Sequence, residues 1–364
     1  GIRDLVRSRG LGDVYKRQLL PFIQASGELK TKPTQHSVRA LRDIGIQPNV
    51  IVCRTGKERL AEEQRDKIAL FCNVTKDAII GAEDMAPLYA IPLNFREQKL
   101  DDIVLRVLGI EAGSSDLAEW RQMVDRLAKA EDEVRIAAVG KYVQHNDAYK
   151  SIDEAFVHAG IANDCRVVLE WVDSAPFEND LSPESVLKDY HGILIGPGFG
   201  SRGAEGKIRA VEYARKHKKP FMGICLGMQI AVIEMARNCL GLSQSNSTEF
   251  RKDTPDPVIS LLSEQRVIKD LGGTMRLGAY RCELKPGTKA HEAYGVDVIY
   301  ERHRHRYEFN NDYLDRLEKE AGLVVSGVHT RDEHELVELI ELKDHPWFCA
   351  SQFHPEFKST PLNP

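Results

Sequence analysis

Gly223-Ile-Cys225-Leu-Gly227-Met-Gln229 sets a cysteine between two glycines, after the short apolar run Lys219-Pro-Phe-Met222 and before the apolar stretch Ile230-Ala-Val-Ile-Glu-Met-Ala236. The order reads as strand, sharp turn, helix. A nucleophile elbow needs this layout, because the reactive atom stands in a strained turn and the flanking glycines clear its approach. A sulfur at a helix N-terminus is expected to be held toward the thiolate, the reactive form. A buried structural thiol would share the same local pattern, so the reading depends on partners elsewhere in the chain.

Three other stretches offer them. His354-Pro355-Glu356 follows the strand-like Trp347 to Phe353. In an extended segment, residues two apart share a face, and Pro355 biases His354 toward extended backbone. An imidazole oriented by a carboxylate would complete a Cys-His-Glu triad with Cys225. Gly196-Pro-Gly198-Phe-Gly200 is a loop whose backbone can approach closely. Gly198 and Leu226, the residue after the cysteine, are the expected N–H donors of an oxyanion hole. Gly27-Glu-Leu-Lys30-Thr31-Lys32-Pro33-Thr34-Gln35-His36 joins lysines, hydroxyls and a stiffening proline in what reads as a loop able to grip a phosphate or a polar base. A solvated loop has the same composition. The run Arg302-His-Arg-His-Arg306 would by itself suggest a metal or RNA patch, which the acidic balance and the lack of partner ligands disfavour. No G-x-x-x-x-G-K-[ST] phosphate loop occurs, since Gly203-Ala-Glu-Gly206-Lys207 has the wrong spacing.

The elements that must position these residues suggest two globular units in 364 residues. Residues 1–18 show mixed charge and no sustained period, and read as a non-native leader to be set aside from fold reasoning. Residues 19–110 look α/β, with a strand at Pro48–Cys53, a helix over Glu58–Cys72 and a short strand at Thr75–Gly81. Residues 111–133 form a linker whose helix starts in a capping box of Asp116 and Glu119 and is expected to dock across a domain seam. Over 134–364, strands at 134–139, 166–172, 192–196 and 220–224 alternate with helices near 148–160, 204–217 and 227–237. That pattern predicts a doubly wound, mostly parallel sheet whose sites lie at the carboxyl ends of its strands.

The composition is that of an ordinary globular protein, with 42% hydrophobic and 29% charged residues and a net charge of −5. That charge gives no basic field for nucleic acid. No apolar run reaches membrane-spanning length and no signal peptide is visible, so a soluble cytoplasmic protein is expected, with no membrane partner. Seven scattered cysteines form no CxxC pair, which speaks against a disulfide framework or a zinc knuckle.

The elbow, His354-Pro-Glu356 and the glycine loop together resemble the class I glutamine amidotransferases. Further motifs narrow this to a resemblance to the CTP synthase family across residues 19–359. They are Gly27 to His36, Gly140-Lys-Tyr142…Asp147-Ala-Tyr-Lys-Ser151, Gly203 to Lys207, Asn246-Ser-Thr-Glu249-Phe250, Leu271-Gly-Gly-Thr-Met-Arg276-Leu-Gly278, Glu301 to Glu308 and Gln352 to Phe357. The resemblance implies a partial P-loop-type α/β synthetase domain ahead of the amidotransferase domain. It implies that Cys225, His354 and Glu356 hydrolyse glutamine through a γ-glutamyl thioester, and that Gln229, Glu249 and Arg306 hold the glutamine. Lys30, Thr31, Lys32, Pro33, Thr34, Gln35 and Lys67 would contact UTP, or CTP as feedback inhibitor. Glu83, Asp84 and Met85 map onto ATP contacts, although a basic residue is usual where Glu83 stands. Gly196-Pro-Gly198 also departs from the commoner Pro-Gly-Gly. ATP with Mg²⁺, GTP as activator and a homotetramer are implied as well. The family's P-loop and metal carboxylates, and the helix expected after His-Pro-Glu-Phe, are not in this sequence, so the glutaminase half-reaction is the most expected of it. The competing readings are a stand-alone class I amidotransferase or γ-glutamyl hydrolase, and a catalytically silent assembly module.

Overall fold

The computed structural model describes residues 15–24, 27–111, 113, 115–141, 149–179, 181–261, 275–331 and 334–364. The chain divides into two compact units, Gly1–Lys129 and Ala130–Pro364. The division falls just ahead of the boundary expected near residue 133.

In the first unit, β1 (Tyr15–Leu19), β2 (Val50–Gly56) and β3 (Ile79–Glu83) form a parallel sheet in the order β1-β2-β3. β1 corrects the expectation that the first eighteen residues stand apart from the fold, because Tyr15 to Gln18 pair in register with Val50 to Cys53. Residues 1–14 lie outside the described residues. The strand expected over Thr75–Gly81 is instead a 3-10 turn, Lys76–Ala78, leading into β3. Helices α1 (Lys32–Asp43) and α2 (Glu62–Cys72) cover the sheet, burying Val38, Ile68 and Cys72 with Ile51, Cys53 and Ile79. Two further helices follow, α3 (Ile91–Glu97) and α4 (Leu100–Leu108). Helix α5 (Ala118–Lys129) is capped by Asp116, whose side chain accepts from the Ala118 N–H at 2.8 Å. Trp120 of α5 donates its indole N–H to Tyr89 O at 2.8 Å, which ties the helix to its own unit.

The second unit is built on a nine-stranded sheet. Its strands are β4 (Glu133–Gly140), β5 (Arg166–Asp173), β6 (Gly192–Ile195), β7 (Phe221–Ile224), β8 (Arg276–Leu284), β9 (Val298–His305), β10 (Leu323–Arg331), β11 (His334–Leu342) and β12 (Phe348–Ser351). They lie in the order β9-β8-β10-β11-β12-β7-β6-β4-β5. The stretch from β12 to β5 is parallel and carries the βα alternation visible in the sequence. The stretch from β9 to β12 is antiparallel. Helices α6 (Lys150–Ala162), α7 (Ala204–Lys216) and α8 (Leu226–Asn238) lie within two residues of their expected ends. Helix α8 is the centre of the core. It is buried continuously from Leu226 to Ala236 and apolar on nearly every side, as a helix with no solvent face must be. Its one buried charge, Glu234, is held bidentate by Arg215 of α7 at 2.7–3.1 Å.

Candidate active site

The elbow is set by sterics. Cys225 caps α8 with φ 55° and ψ −100°, backbone that an L-residue adopts only under constraint. Its N–H is fixed to Ser351 O of β12 at 2.7 Å. A side chain at Gly227 would come within 2.1 Å of Ile195 O, and one at Gly223 within 2.9 Å of Ala350 Cβ, so both flanking positions admit glycine alone. The sequence pattern therefore reports packing as well as chemistry.

Because β12 pairs in parallel with β7, the residues after Ser351 leave the sheet at the same carboxyl end as the cysteine. His354 is held by its N–H to Arg302 O at 2.8 Å. Its Nδ1 lies 2.8 Å from Glu356 Oε1. The pairing expected from extended backbone is achieved differently. His354 is extended in φ, but Pro355–Phe357 forms a 3-10 turn that folds Glu356 back beneath the imidazole. Phe357 stacks on that ring at 4.9 Å and 10°. Among the described residues His354 Nε2 and Glu356 Oε2 are buried without a hydrogen-bond partner. A cavity of about 190 Å³ opens beside them, walled by Gly198, Phe199, Cys225, Arg304, His354 and Glu356.

The expected thiolate is overturned. Burial pushes the Cys225 thiol up to about 12, with the Glu356, Glu249 and Glu308 carboxylates adding to the rise and the Leu226 N–H opposing it. Desolvation outweighs the helix terminus, so the resting sulfur is a thiol and a neighbouring base must take its proton. The Leu226 N–H already points at the sulfur. The thiol also lies 3.9 Å from Arg304 O and 3.8 Å from Gln352 Nε2.

Around this centre the structure gathers most of the other anticipated residues. A Cβ on Gly198 would stand 3.2 Å from Leu226 Cδ2, so the glycine loop packs against the residue that follows the cysteine. Glu249 Oε1 accepts from the Gly200 N–H at 2.8 Å, tying the glycine loop to the Asn246–Phe250 segment. Gln229 Nε2 donates to Tyr307 O at 3.1 Å and to Gln352 Oε1 at 3.2 Å. Glu249 and Arg306 both act electrostatically on the Tyr307 hydroxyl. Gln229, Glu249 and Arg306 thus surround Tyr307 beside the cysteine cavity and are not part of its walls. In the sequence Gln352 figures only as the start of the Gln352 to Phe357 motif, with no role given to it. It is fully buried between Gln229 and the sulfur, and its place two residues before His354, just past the end of β12, is the signal that could have found it.

The histidine-rich strand forms a separate cluster. Among the described residues, His303, His305 and Glu338 have spacing compatible with a metal. Tyr307 O can only accept, so His305 Nδ1, 3.2 Å away, carries the proton, and His305 Nε2 then accepts from His303 Nδ1 at 2.8 Å. Burial and the Arg276 guanidinium hold His303 and His305 down to about 2 and about 3, so both are neutral. Arg276 lies 2.8 Å from Glu338 and 3.2 Å from Glu308, and so supplies the positive charge of the cluster.

In the first unit Lys32-Pro-Thr-Gln is not loop but the opening of α1, with Pro33 in its first turn, where a missing N–H costs nothing. Thr31 precedes the helix and accepts from Gln35 Nε2 at 3.1 Å. Thr34 is buried, and its hydroxyl has no partner among the described residues. Lys30 pairs with Glu28 and holds its carboxyl down, while Lys67 of α2 pairs with Glu63 at 2.6 Å. Glu83, Asp84 and Met85 stand elsewhere, at the carboxyl end of β3, where Asp84 lies 3.5 Å from Arg54 and its N–H bonds Gly56 O.

Comparison with known proteins agrees with this geometry. Residues 145–364 match the glutamine amidotransferase class-I family, and residues 8–110 match the CTP synthase N-terminus family. The CTP synthase of Symbiobacterium thermophilum is 56% identical over 349 residues, covering 95% of this chain and 64% of that protein. That of Geobacter metallireducens is 52% identical over 366 residues, covering 100% of this chain and 67% of that protein. The chain belongs to the CTP synthase family. It spans just under two thirds of the Symbiobacterium relative. The glutaminase domain of Trypanosoma brucei CTP synthase, solved with bound acivicin, superposes with a TM-score of 0.60 at 39% identity, covering 64% of this chain and 89% of that one. CTP synthase membership accounts for both units, and the CTP synthase N-terminus match takes in β1. No described helix is long and apolar enough to cross a membrane.

Proposed function

We propose that the second unit hydrolyses glutamine to glutamate and ammonia, and that this is the ammonia-producing half of an ATP-dependent amination of UTP to CTP. The single observation that carries the reading is the convergence of Cys225 and the partnerless His354 Nε2 on one small cavity, with Glu356 bonded to the far side of the imidazole.

Glutamine enters with its γ-carboxamide in the cavity, its α-groups toward Glu249 and Arg306, where a carboxylate and a guanidinium suit an ammonium and a carboxylate. His354 Nε2 takes the thiol proton as the sulfur adds to the amide carbon. Burial keeps that proton on the sulfur until the base removes it. Glu356 stabilises the imidazolium and fixes its tautomer. The carbonyl oxygen becomes an oxyanion received by the N–H groups of Gly198 and Leu226. His354 then returns the proton to the departing ammonia, leaving a γ-glutamyl thioester that water cleaves by the same base.

Lys30 to Gln35, with Lys67, is the proposed contact for UTP or CTP. Magnesium and ATP are the co-reactants the family implies, and they supply phosphorylation of the uracil 4-oxygen. The described residues at Glu83 to Met85 do not by themselves fit a triphosphate, since Asp84 faces Arg54 and the sequence holds no phosphate loop. No step is therefore routed through them. GTP activation, a tetrameric assembly and a cytoplasmic site of action belong to the same family-based proposal.

Cys225→Ala is expected to lower glutamate release from glutamine at least about 10³-fold, read by a coupled glutamate assay. Equal release from the wild-type and substituted chains would remove the triad from the mechanism.

A further inference from the structure

Lys207 has no place in the chemistry above, yet it is one of the few charged side chains buried in the core. It sits in the first turn and a half of α7 on the inward face, 2% exposed, among Ala204, Ile208 and Val211. Several buried carboxylates of this unit are paired with a cation, although among the described residues Glu301 and Glu341 are not. Glu234 is gripped by Arg215, and Glu338 and Glu308 by Arg276. Among the described residues no carboxylate lies within ion-pair distance of the Lys207 ammonium, although a methionine would fill the same volume without the cost of burying a charge. Its Nζ lies 4.0 Å from the point where a side chain on Gly198 would begin. Lys141 donates to Phe199 O of the same loop, and its Nζ lies 3.8 Å from the equivalent point on Gly200. Two ammonium groups therefore approach the glycine loop, and the buried one is beside Gly198.

We propose that Lys207 is a positioning residue of the glutaminase step. Its ammonium, beside Gly198, sets positive charge near the glycine loop expected to receive the oxyanion. The inference rests on the glutaminase reading of the site. Lys207 does not line the cysteine cavity and does not touch the substrate. It acts through Gly198, in surroundings that exclude water and so screen its charge weakly. The charged groups that reach it are Lys141, which disfavours its proton, and Glu178, which favours it. Burial is the largest influence, and together they bring the ammonium down to about 8. The positive charge is thus present at neutral pH and is lost as pH rises through about 8.

The test is steady-state glutamate release by Lys207→Met, together with binding of the aldehyde analogue of glutamine. The Cys225 thiol adds across that carbonyl. The sulfur–carbon bond forms, the carbonyl π electrons move onto oxygen, and the thiol proton passes to His354 Nε2, giving a tetrahedral adduct whose oxyanion needs the same donors. The substitution is expected to lower kcat about tenfold with KM changed less than twofold, and to weaken the aldehyde by about the same tenfold. It should abolish an alkaline fall in wild-type kcat centred near pH 8, while the thermal midpoint stays level or rises because a buried charge has gone. Lys207→Gln serves as a second variant if the methionine chain does not fold. Wild-type kcat and aldehyde affinity in the variant would overturn the inference, as would a loss that tracks a fallen thermal midpoint. Absence of glutamate release from the wild-type chain would instead overturn the glutaminase reading, and the inference with it.

Discussion

The elbow pocket and the histidine-rich strand lie in the same unit, and both bury imidazole and carboxylate groups. They differ in what those groups face. His354 is bonded to Glu356 on one side and opens on the other to a cavity with the thiol on its wall. His303 and His305 are bonded to each other and to Tyr307 O, and the carboxylates beside them face Arg276. Burial does not separate the two. Cys53 and Cys349 are pushed up to about 12 by desolvation just as Cys225 is, yet neither sits in strained backbone or borders that cavity. Orphaned atoms do not separate the two either, since among the described residues His303 Nε2 is buried without a partner just as His354 Nε2 is. What separates them is the cavity, which has the thiol and His354 on its wall and none of His303, His305 and Glu338. A buried titratable group can serve a reaction when its open polar side faces space that a ligand can enter, and otherwise it specifies packing.

If the strand cluster is structural, Arg276→Met should produce the largest change. It leaves Glu308 and Glu338 buried without their cation, at an expected cost of about 3–5 kcal/mol in denaturant unfolding, with KM for glutamine near the wild-type value in whatever folds. An unchanged unfolding midpoint with lost activity would reverse the comparison and place the cluster in the catalytic machinery. Glu356→Gln should do the opposite. Stability should move by about 1 kcal/mol or less, because an amide keeps the shape and a hydrogen bond, while kcat should fall on the order of 10²-fold for want of a charge to stabilise the imidazolium. The smallest effect is expected from Glu301, on β9 between the two regions. Burial raises its carboxyl from 4.5 to about 7, opposed by Lys358 and Tyr294 and reinforced by Glu356. A folded value above the unfolded one means that its contribution to stability is complete below about pH 4.5 and declines as pH rises through about 7. The urea midpoint should therefore fall between pH 5 and pH 8, and Glu301→Gln should flatten that fall. A slope equally steep in the substituted chain would assign it to other groups.

The parallel half of the large sheet was legible in the sequence because each βα unit writes its own signal, a short apolar run followed by a period of 3.6 residues. The antiparallel half was legible only in β12, read as the strand-like Trp347 to Phe353, and not in β8 to β11. Its strands alternate buried and exposed residues, as in Val298 to His305, and pair across connections that leave no local mark. Segments read by composition alone fared worse. The Lys30 stretch looked like loop because lysine, threonine and proline favour turns, yet Pro33 suits a first helical turn equally well. Tyr15 to Gln18 looked foreign because a short strand needs only a partner, and β2 supplies one.

From the sequence by itself came the family and the proposed nucleophile, base and orienter, because Gly-x-Cys-x-Gly and His-Pro-Glu are short patterns whose spacing is set by local backbone chemistry. Tertiary structure alone decided the rest. It placed the two motifs at the carboxyl ends of neighbouring parallel strands, inserted Gln352 between Gln229 and the sulfur, set Lys207 beside Gly198, and buried the thiol so that its proton is held more tightly. Each of these depends on what surrounds an atom in space. Desolvation and charge coupling act over a few ångströms of folded protein, between residues that may stand more than a hundred positions apart in the chain.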